Sequence, residues 1–308
     1  MKRVLIAPST FGEFSKEPVD SLLSTGYNLT YNQKGRKLND KELLELISEC
    51  DGVVAGTEKY TREVLDSACK LKVISRLGVG MDNIDQAIAV EKGIKVFKTE
   101  TSPAPAVAEL TLGLILNLLR RISLNSSNMK KGIWQKVQGS LLSGKTLGII
   151  GLGSIGKHLV DITRGFGLIY LAHDLRRDKV FTESKDIQYC SMDDLFSNSD
   201  IVSIHVNLSE DTRGLIDYQA LECMKREVIL INTSRGEVIN EHDLIRALDK
   251  QMIAGAGLDV FSDEPYKGPL LQYDNVVFTP HIGAYTREIR MKMELEAVQN
   301  LIEGLENE

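Results

Sequence analysis

The stretch "TLGIIGLGSIGKHLVDITRGFGLIYLAHD", residues 146–174, decides how the rest of the chain is read. Its apolar opening suits a buried parallel strand, and "GLGSIG" sets Gly151, Gly153 and Gly156 in the G-x-G-x-x-G spacing ahead of a helical run. Alone, that spacing serves a packing turn as readily as a ligand. Between a strand and a helix it does more: the glycines permit a tight turn and close backbone approach, and the helix N-terminus faces a pyrophosphate. The next apolar run ends in Asp174, 18 residues beyond Gly156, near the spacing of roughly twenty at which a carboxylate meets an adenosine ribose. Strand, loop, helix, strand and acid together point to a dinucleotide. Asp174 would repel a 2'-phosphate and so favours NAD over NADP; Arg176 and Arg177 are the cations that would argue the other way.

Upstream of this unit lies a complete α/β series. Short β-rich runs ("RVLIA", "DGVVAG", "LKVISRLG", "IKVFKT") alternate with helical ones ("DKELLELISEC", "TREVLDSAC", "DNIDQAIAVEKG") over the first hundred residues, the pattern of βαβ units in a parallel sheet. From Ser102 and Pro103 a helix of roughly five turns is expected, read as the bridge between two domains. Its apolar segment, "LTLGLILNLL" at 110–119, is about half a bilayer span and is flanked by charge, so it reads as a buried helix. The opening "MKRVLIAPST" has too few apolar residues for a signal sequence and reads as a first strand. A formal charge of -6 without a basic block argues against nucleic acid or an anionic membrane as a main partner. The four cysteines, at 50, 69, 190 and 223, have neither metal-pair spacing nor disulfide-scaffold density, which suggests reduced thiols, a cytoplasmic protein and no metal site.

Downstream, three segments close successive apolar runs. "LINTSRGEVIN" places Arg235 just past a strand, where open α/β sheets bind ligands, and its planar fork suits both oxygens of a 2-oxo acid. "GLDVFSDEP" offers Asp259, Asp263 and Glu264, and "FTPHIGA" offers His281. A carboxylate beside an imidazole orients it and raises its pKa, so that the pair can take a proton from an alcohol as hydride leaves, or return it in reduction. Any one of these residues is ordinary by itself; three consecutive strand ends carrying cation, acid and imidazole are not. The last stretch, "TREIRMKMELEAVQNLIEGLE", is expected to be an amphipathic helix packing on the first domain.

With these motifs in place the chain resembles the D-isomer-specific 2-hydroxyacid dehydrogenases. The likeness spans nearly all of it, through "RLGVGMDNID" (76–85), "AVAELTLGLIL" (106–116), "GKTLGIIGLGSIG" (144–156), "INTSRGEVIN" (231–240), "GLDVFSDEP" (257–265) and "TPHIGA" (279–284). The resemblance implies an α/β fold of two Rossmann/flavodoxin-like parallel-sheet domains. The NAD-binding domain, 101–284, would be inserted in a substrate domain formed by 1–100 and 285–308, with the active site in the cleft between them. It implies further that Arg235 binds substrate, that Glu264 pairs with His281, and that His281 is the acid/base. Ser154 and Ile155 would meet the pyrophosphate through backbone amides and Asp259 the nicotinamide carboxamide. Thr233 and Gly283 would line the cofactor, and the loop of Gly78, Val79 and Gly80 would take the substrate carboxylate.

Around "MKKGIWQKVQGSLLSGKTLGIIGLGSIG" the likeness is nearest to short D-3-phosphoglycerate dehydrogenases. That implies a D-3-phosphoglycerate dehydrogenase-like activity on a small anionic 2-hydroxy or 2-oxo acid, and a homodimer, with Arg76, Lys59 and, across the dimer, Lys136 as candidates for a substrate phosphate. The alternatives are a glyoxylate or hydroxypyruvate reductase and, from another class, an NAD-sensing module like related corepressors. Three departures stand out. Asn207 replaces the usual proline after "SIH", the bridging segment "FKTETSPAP" lacks a common asparagine, and Ala55 or Gly56 stands where phosphoglycerate enzymes tend to have arginine. With 27 residues after His281 (308 − 281), feedback control through an appended regulatory domain of the kind longer members carry is not expected.

Overall fold

Twelve short strands, all paired in parallel, form two separate sheets in the computed structural model, which describes residues 1–307. Packing divides the chain into two units, Met1–Pro103 together with Tyr285 onward, and Ala104–Ala284.

The first unit holds β1 (Arg3–Ile6), β2 (Asn28–Tyr31), β3 (Gly52–Ala55), β4 (Val73–Arg76) and β5 (Lys95–Lys98) in the order β2-β1-β3-β4-β5. Its crossovers are α1 (Glu17–Ser24), α2 (Asp40–Ile47), α3 (Arg62–Ser67) and α4 (Gln86–Glu91). The last three start where a short polar side chain can accept an amide of the first turn: Asn39 from Glu42, Thr61 from Val64 and Asp85 from Ile88. Alternate strand residues point to opposite faces. Leu5, Val53 and Ile74 therefore pack with Leu43, Ile47, Val64 and Leu65 from α2 and α3, while Val4, Ile6, Val54 and Val73 meet the C-terminal helix, Arg287–Glu306. That helix lays Met293, Ala297, Val298, Leu301 and Leu305 on the sheet. Gly52 and Gly304 make the approach close, because a Cβ at either would press on a packed leucine or valine.

The second unit carries β6 (Thr146–Ile150), β7 (Ile169–His173), β8 (Ile187–Tyr189), β9 (Ile201–Ile204), β10 (Ile229–Asn232), β11 (Gly255–Leu258) and β12 (Val276–Phe278). They lie in the order β12-β11-β10-β9-β6-β7-β8. The chain runs outward from β6 to β8, then restarts on the other side of β6 at β9. The carboxyl ends of β6 and β9 are thus a topological switch point, where doubly wound sheets bind ligands. Its helices are α5 (Ala104–Arg120), α6 (Ile122–Lys130), α7 (Ser154–Thr163), α8 (Lys179–Lys185), α9 (Met192–Asn198), α10 (Tyr218–Cys223) and α11 (Glu241–Asp249).

The long helix read as a bridge, which the resemblance counts with the NAD-binding domain, packs as a layer of the second unit. α5 buries Ala108, Leu114, Ile115 and Leu118 with Leu147, Ile149, Leu159 and Val160 of β6 and α7. It stops at Arg121, whose φ of 54° breaks the helical path before α6 begins. β2 and β8, both at sheet edges, were not expected from the sequence. Neither is fully buried along its length, so neither carries the continuous apolar run that marks an inner strand. Among the described residues no helix is long and apolar enough to cross a membrane.

Candidate active site

Parallel pairing brings the carboxyl ends of β10, β11 and β12 side by side, and each hands a functional side chain to the turn that follows. Past β12 the chain reaches His281 with φ 55°, a left-handed conformation rare outside glycine. Two backbone bonds hold it there, from His281 N–H to the carbonyls of Asp259, at 2.8 Å, and Thr279, at 3.0 Å. Asp259, just after β11, is 1 % exposed. Its Oδ1 accepts from the Thr279 hydroxyl at 2.6 Å and the Ile282 amide at 2.8 Å, and its Oδ2 from the Gly283 amide at 2.8 Å. Burial pushes the Asp259 pKa up, and these three donors work against that shift. A buried carboxylate needs such partners, and here they all belong to the turn that presents His281.

Of the three acids following β11, Glu264 reaches the imidazole. Its Oε1 and Oε2 lie 3.0 and 2.9 Å from His281 Nδ1, and Oε1 also accepts the Phe261 amide at 3.2 Å. Asp263 is exposed. A carboxylate at Nδ1 selects the tautomer with its proton on that nitrogen and leaves Nε2 as the working atom. The His281 side chain is 34 % exposed and that of Glu264 19 %, so the pair is open enough to meet a substrate. Arg235 sits in the neighbouring turn after β10, where its Nη1 donates to the Ser234 carbonyl at 2.8 Å. Gly236 permits this turn to lie against the segment leading to Glu264; a Cβ there would come within 2.0 Å of the Phe261 backbone.

The glycine loop occupies the switch point. Gly151 has φ +93°, and a Cβ on it would sit 2.8 Å from the His205 carbonyl group. A Cβ on Gly156 would come 2.6 Å from Gly151 O, so this glycine allows α7 to begin tight against the turn. Gly153 has open space beside it and precedes α7 as its N-cap without a side-chain cap. The amides of Ser154 and Ile155 thus open a ten-residue helix whose positive end is clear for an anion. Asp174 is tied to the loop, accepting the Leu152 amide at 2.7 Å and the Arg176 amide at 2.8 Å. Thr233 and Gly283 lie nearby in the same unit: the Thr233 hydroxyl is 3.1 Å from that of Thr111 on α5, and Gly283 packs on Asp259 and Val107. Among the described residues no cluster of His, Cys, Asp and Glu is arranged to hold a metal.

Comparison with known proteins agrees with this geometry. Residues 112–283 match the family described as "D-isomer specific 2-hydroxyacid dehydrogenase, NAD binding domain". The hydroxypyruvate reductase of Thermotoga maritima is 40% identical over 275 residues, covering 87% of this chain and 89% of that protein. The chain belongs to this family. It is an NAD-dependent oxidoreductase acting on CH–OH groups. The D-3-phosphoglycerate dehydrogenase of Methanocaldococcus jannaschii is 42% identical over 257 residues, 82% of this chain but 49% of that longer protein. Among solved structures, the D-lactate dehydrogenase of Aquifex aeolicus, complexed with NAD and lactic acid, is 27% identical with a TM-score of 0.86, covering 99% of this chain and 96% of its own. The corepressor-like alternative finds no support in these relatives.

In the dehydrogenase's first unit, β4 ends in Arg76 and leads into Gly78, Val79 and Gly80. Arg76 is 8 % exposed, and its guanidinium lies beneath Gly78, where a Cβ would come within 2.6 Å of Nη1. Nη1 donates to the Leu77 carbonyl and Nε to Asn83 Oδ1 at 3.3 Å. Asn83 in turn donates to the carbonyls of Gly56, at 3.1 Å, and Glu58, at 2.7 Å. Glu58, 2 % exposed, accepts the Gly56 amide at 3.0 Å. Arg76 therefore holds the glycine loop from below, a role its sequence motif did not reveal. Lys59 and Lys136 are exposed. The loop carrying Asn207 closes on itself, the Thr212 hydroxyl donating to the Asn207 carbonyl at 2.7 Å.

Two expectations arise from the cofactor loop. Asp174→Ala should raise the KM for NADH about tenfold, the scale of a lost hydrogen bond to a charged group, and narrow the preference over NADPH. Steady-state kinetics with both cofactors check this, and an unchanged preference removes Asp174 from the ribose. His205, behind Gly151, has Nε2 2.9 Å from the Ser203 hydroxyl, and burial pushes its pKa down to about 4. The folded protein thus keeps this ring neutral, while the unfolded chain protonates it below its ordinary value of 6.5. Its contribution to stability is complete above pH 6.5 and is lost as pH falls toward 4. Thermal unfolding followed across that window should show a steeper decline in the wild type than in His205→Asn.

Proposed function

We propose that the chain interconverts a small, unphosphorylated D-2-hydroxy acid and its 2-oxo acid with NAD(H), hydroxypyruvate and glyoxylate being the 2-oxo acids that fit best. The reading rests on one observation, the His281–Glu264 pair beside the Arg235 turn in an NAD-binding unit. The cofactor supplies or accepts the hydride at the substrate C2. Arg235 binds the carboxylate and polarises the C2 oxygen. His281 Nε2 gives its proton to the C2 oxygen in reduction and takes it back in oxidation, with Glu264 stabilising the imidazolium between. Asp259 Oδ2, which accepts one amide, has lone-pair capacity left for the nicotinamide carboxamide.

The absence of a phosphate from the substrate is supported by the loops of the first unit. Where a phosphoglycerate enzyme is expected to present an arginine, this chain has buried Ala55 and Gly56 with the Glu58 carboxylate behind them, and Arg76 is committed to the loop. A second reading, oxidation of D-3-phosphoglycerate, is favoured by the 42% identity to such an enzyme and by exposed Lys59. NADH oxidation with hydroxypyruvate, glyoxylate, pyruvate and 3-phosphohydroxypyruvate separates the two. A kcat/KM at least about tenfold higher for hydroxypyruvate or glyoxylate is expected. The reverse order supports the phosphorylated substrate, and no turnover with any of the four sinks both readings.

We further propose a cytoplasmic homodimer. Free thiols at all four cysteines support the compartment. Support for the dimer is a set of exposed apolar side chains, Ile122 and Met129 on α6, which buries none of its own residues, and Ile133, Trp134 and Leu141 in the segment that follows it. Trp134→Glu should shift sedimentation at micromolar concentration from dimer to monomer, and a wild-type monomer would end the proposal. Fractionation of cells into soluble and envelope pools tests the compartment.

A further inference from the structure

The side chain that aims Arg235 is itself absent from the catalytic set. Asn232, the last residue of β10, is 1 % exposed on a strand whose other residues are Ile229, Leu230 and Ile231. A buried primary amide there must find partners, and it finds them in the turn ahead. Its Nδ2 donates to the Arg235 carbonyl at 2.8 Å. Its Oδ1 accepts the Ser234 amide at 3.0 Å and the Ser234 hydroxyl at 2.8 Å. One side chain thus closes the chain between 232 and 235 from inside. The Asn232 carbonyl accepts the Asp259 amide at 3.0 Å, which joins this turn to the Asp259 carboxylate that holds the His281 turn.

Two adjacent strand ends thus each carry a buried Asn or Asp, with different reach: Asn232 hydrogen-bonds the backbone of its own turn, which leads to Arg235, whereas Asp259, just past β11, hydrogen-bonds the backbone of the turn after β12, which presents His281. At the first end the geometry leaves little latitude. Arg235 has extended backbone angles (φ −140°, ψ 144°), and Gly236 directly after it lies against Phe261 and Ser262. With the Asn232 bonds gone, the 232–235 turn loses the internal partners that set its path, and the guanidinium loses its aim.

We propose that Asn232 is a positioning residue for Arg235, acting on substrate recognition and not on cofactor binding or on the acid/base pair. The proposal rests on the role assigned to Arg235 above, and its test separates the two. Asn232→Ala should lower kcat/KM for the preferred 2-oxo acid about tenfold to a hundredfold, chiefly through KM. The NADH dissociation constant, read by fluorescence, should stay within about twofold of the wild type, as should the pH profile of kcat. Asn232→Asp keeps the acceptor for Ser234 but loses the donor to the Arg235 carbonyl, and should show the same defect. It also provides a second protein if the alanine variant folds poorly.

In an Arg235→Ala background, Asn232→Ala should cost less than about a further twofold, because its effect runs through a side chain already missing. If the two losses multiply, or if NADH binding falls in parallel, Asn232 is structural and the proposal is overturned. If Arg235→Ala alone leaves kcat/KM unchanged, the assignment of Arg235 fails and the positioning role falls with it.

Discussion

His281→Ala is expected to lower turnover by about a hundredfold to ten-thousandfold, the range that a positioned general acid/base contributes, while NADH binds nearly as well as before. In the proposed mechanism the imidazole exchanges a proton with the C2 oxygen. Glu264 holds Nδ1 at 2.9–3.0 Å, so Nε2 has a defined direction, and its loss leaves water to supply the proton. The cofactor loop lies on β6 and α7 and shares no hydrogen bond with the His281 ring, which is why NADH binding should be spared. The variant also relieves little: His281 has φ 55°, and alanine meets the same left-handed penalty. Single-turnover reduction with pre-bound NADH measures the chemical step directly, and an unaltered rate would remove His281 from the mechanism.

Arg235→Ala should reduce kcat/KM for the 2-oxo acid by roughly a hundredfold to ten-thousandfold. Two charge-assisted hydrogen bonds, each about 1.5–3 kcal/mol, are withdrawn, and every 1.4 kcal/mol is worth about tenfold. Arg235→Lys keeps the charge but loses the planar fork that grips two oxygens at once, so it should recover only part of the deficit. Both variants should bind NADH normally. Titration with oxamate, an unreactive 2-oxo acid mimic, against the NADH complex checks whether the loss is one of binding; wild-type oxamate affinity in Arg235→Ala would place the arginine elsewhere.

Several of these features were legible in the sequence because they depend on neighbours along the chain. The inner strands β1, β3, β4, β6, β7, β9, β10 and β11 are apolar runs, and burial on both faces of a parallel sheet requires that. The loop at 151–156 announces itself because a tight turn, a close helix start and an approachable backbone each exclude a side chain, and Gly151, Gly156 and Gly153 answer those three needs in turn. By contrast β2, "NLTY", and β8, "IQY", escaped notice because polar residues interrupt them, whereas the edge strands β5 and β12 keep the adjacent apolar residues Val96–Phe97 and Val276–Phe278. The long helix α5 was visible as a helix, and the resemblance placed it within 101–284, but its apolar residues name no partner, and only the fold sets them against β6 and α7.

At the site the division follows the same physics. Residue type and strand-end position, both local, sufficed to nominate Arg235, His281 and a carboxylate after β11. Whether that carboxylate was Asp259, Asp263 or Glu264 depended on the turn geometry between β11 and β12, and the structure brings Glu264 to the imidazole while Asp259 holds the turn beneath it. Arg76 shows the same limit: its charge suggested a ligand, and its bonds to Asn83 and Leu77 beneath Gly78 became visible only in the fold. Asn232 lies within "LINTSRGEVIN", where a polar residue at the end of an apolar strand is commonplace until its bonds are known. The chemistry of the side chains was settled by the sequence. Which of them touch was decided by parallel pairing of strands distant in the chain, since a hydrogen bond needs its partner placed to within a few tenths of an ångström and no local pattern carries that information.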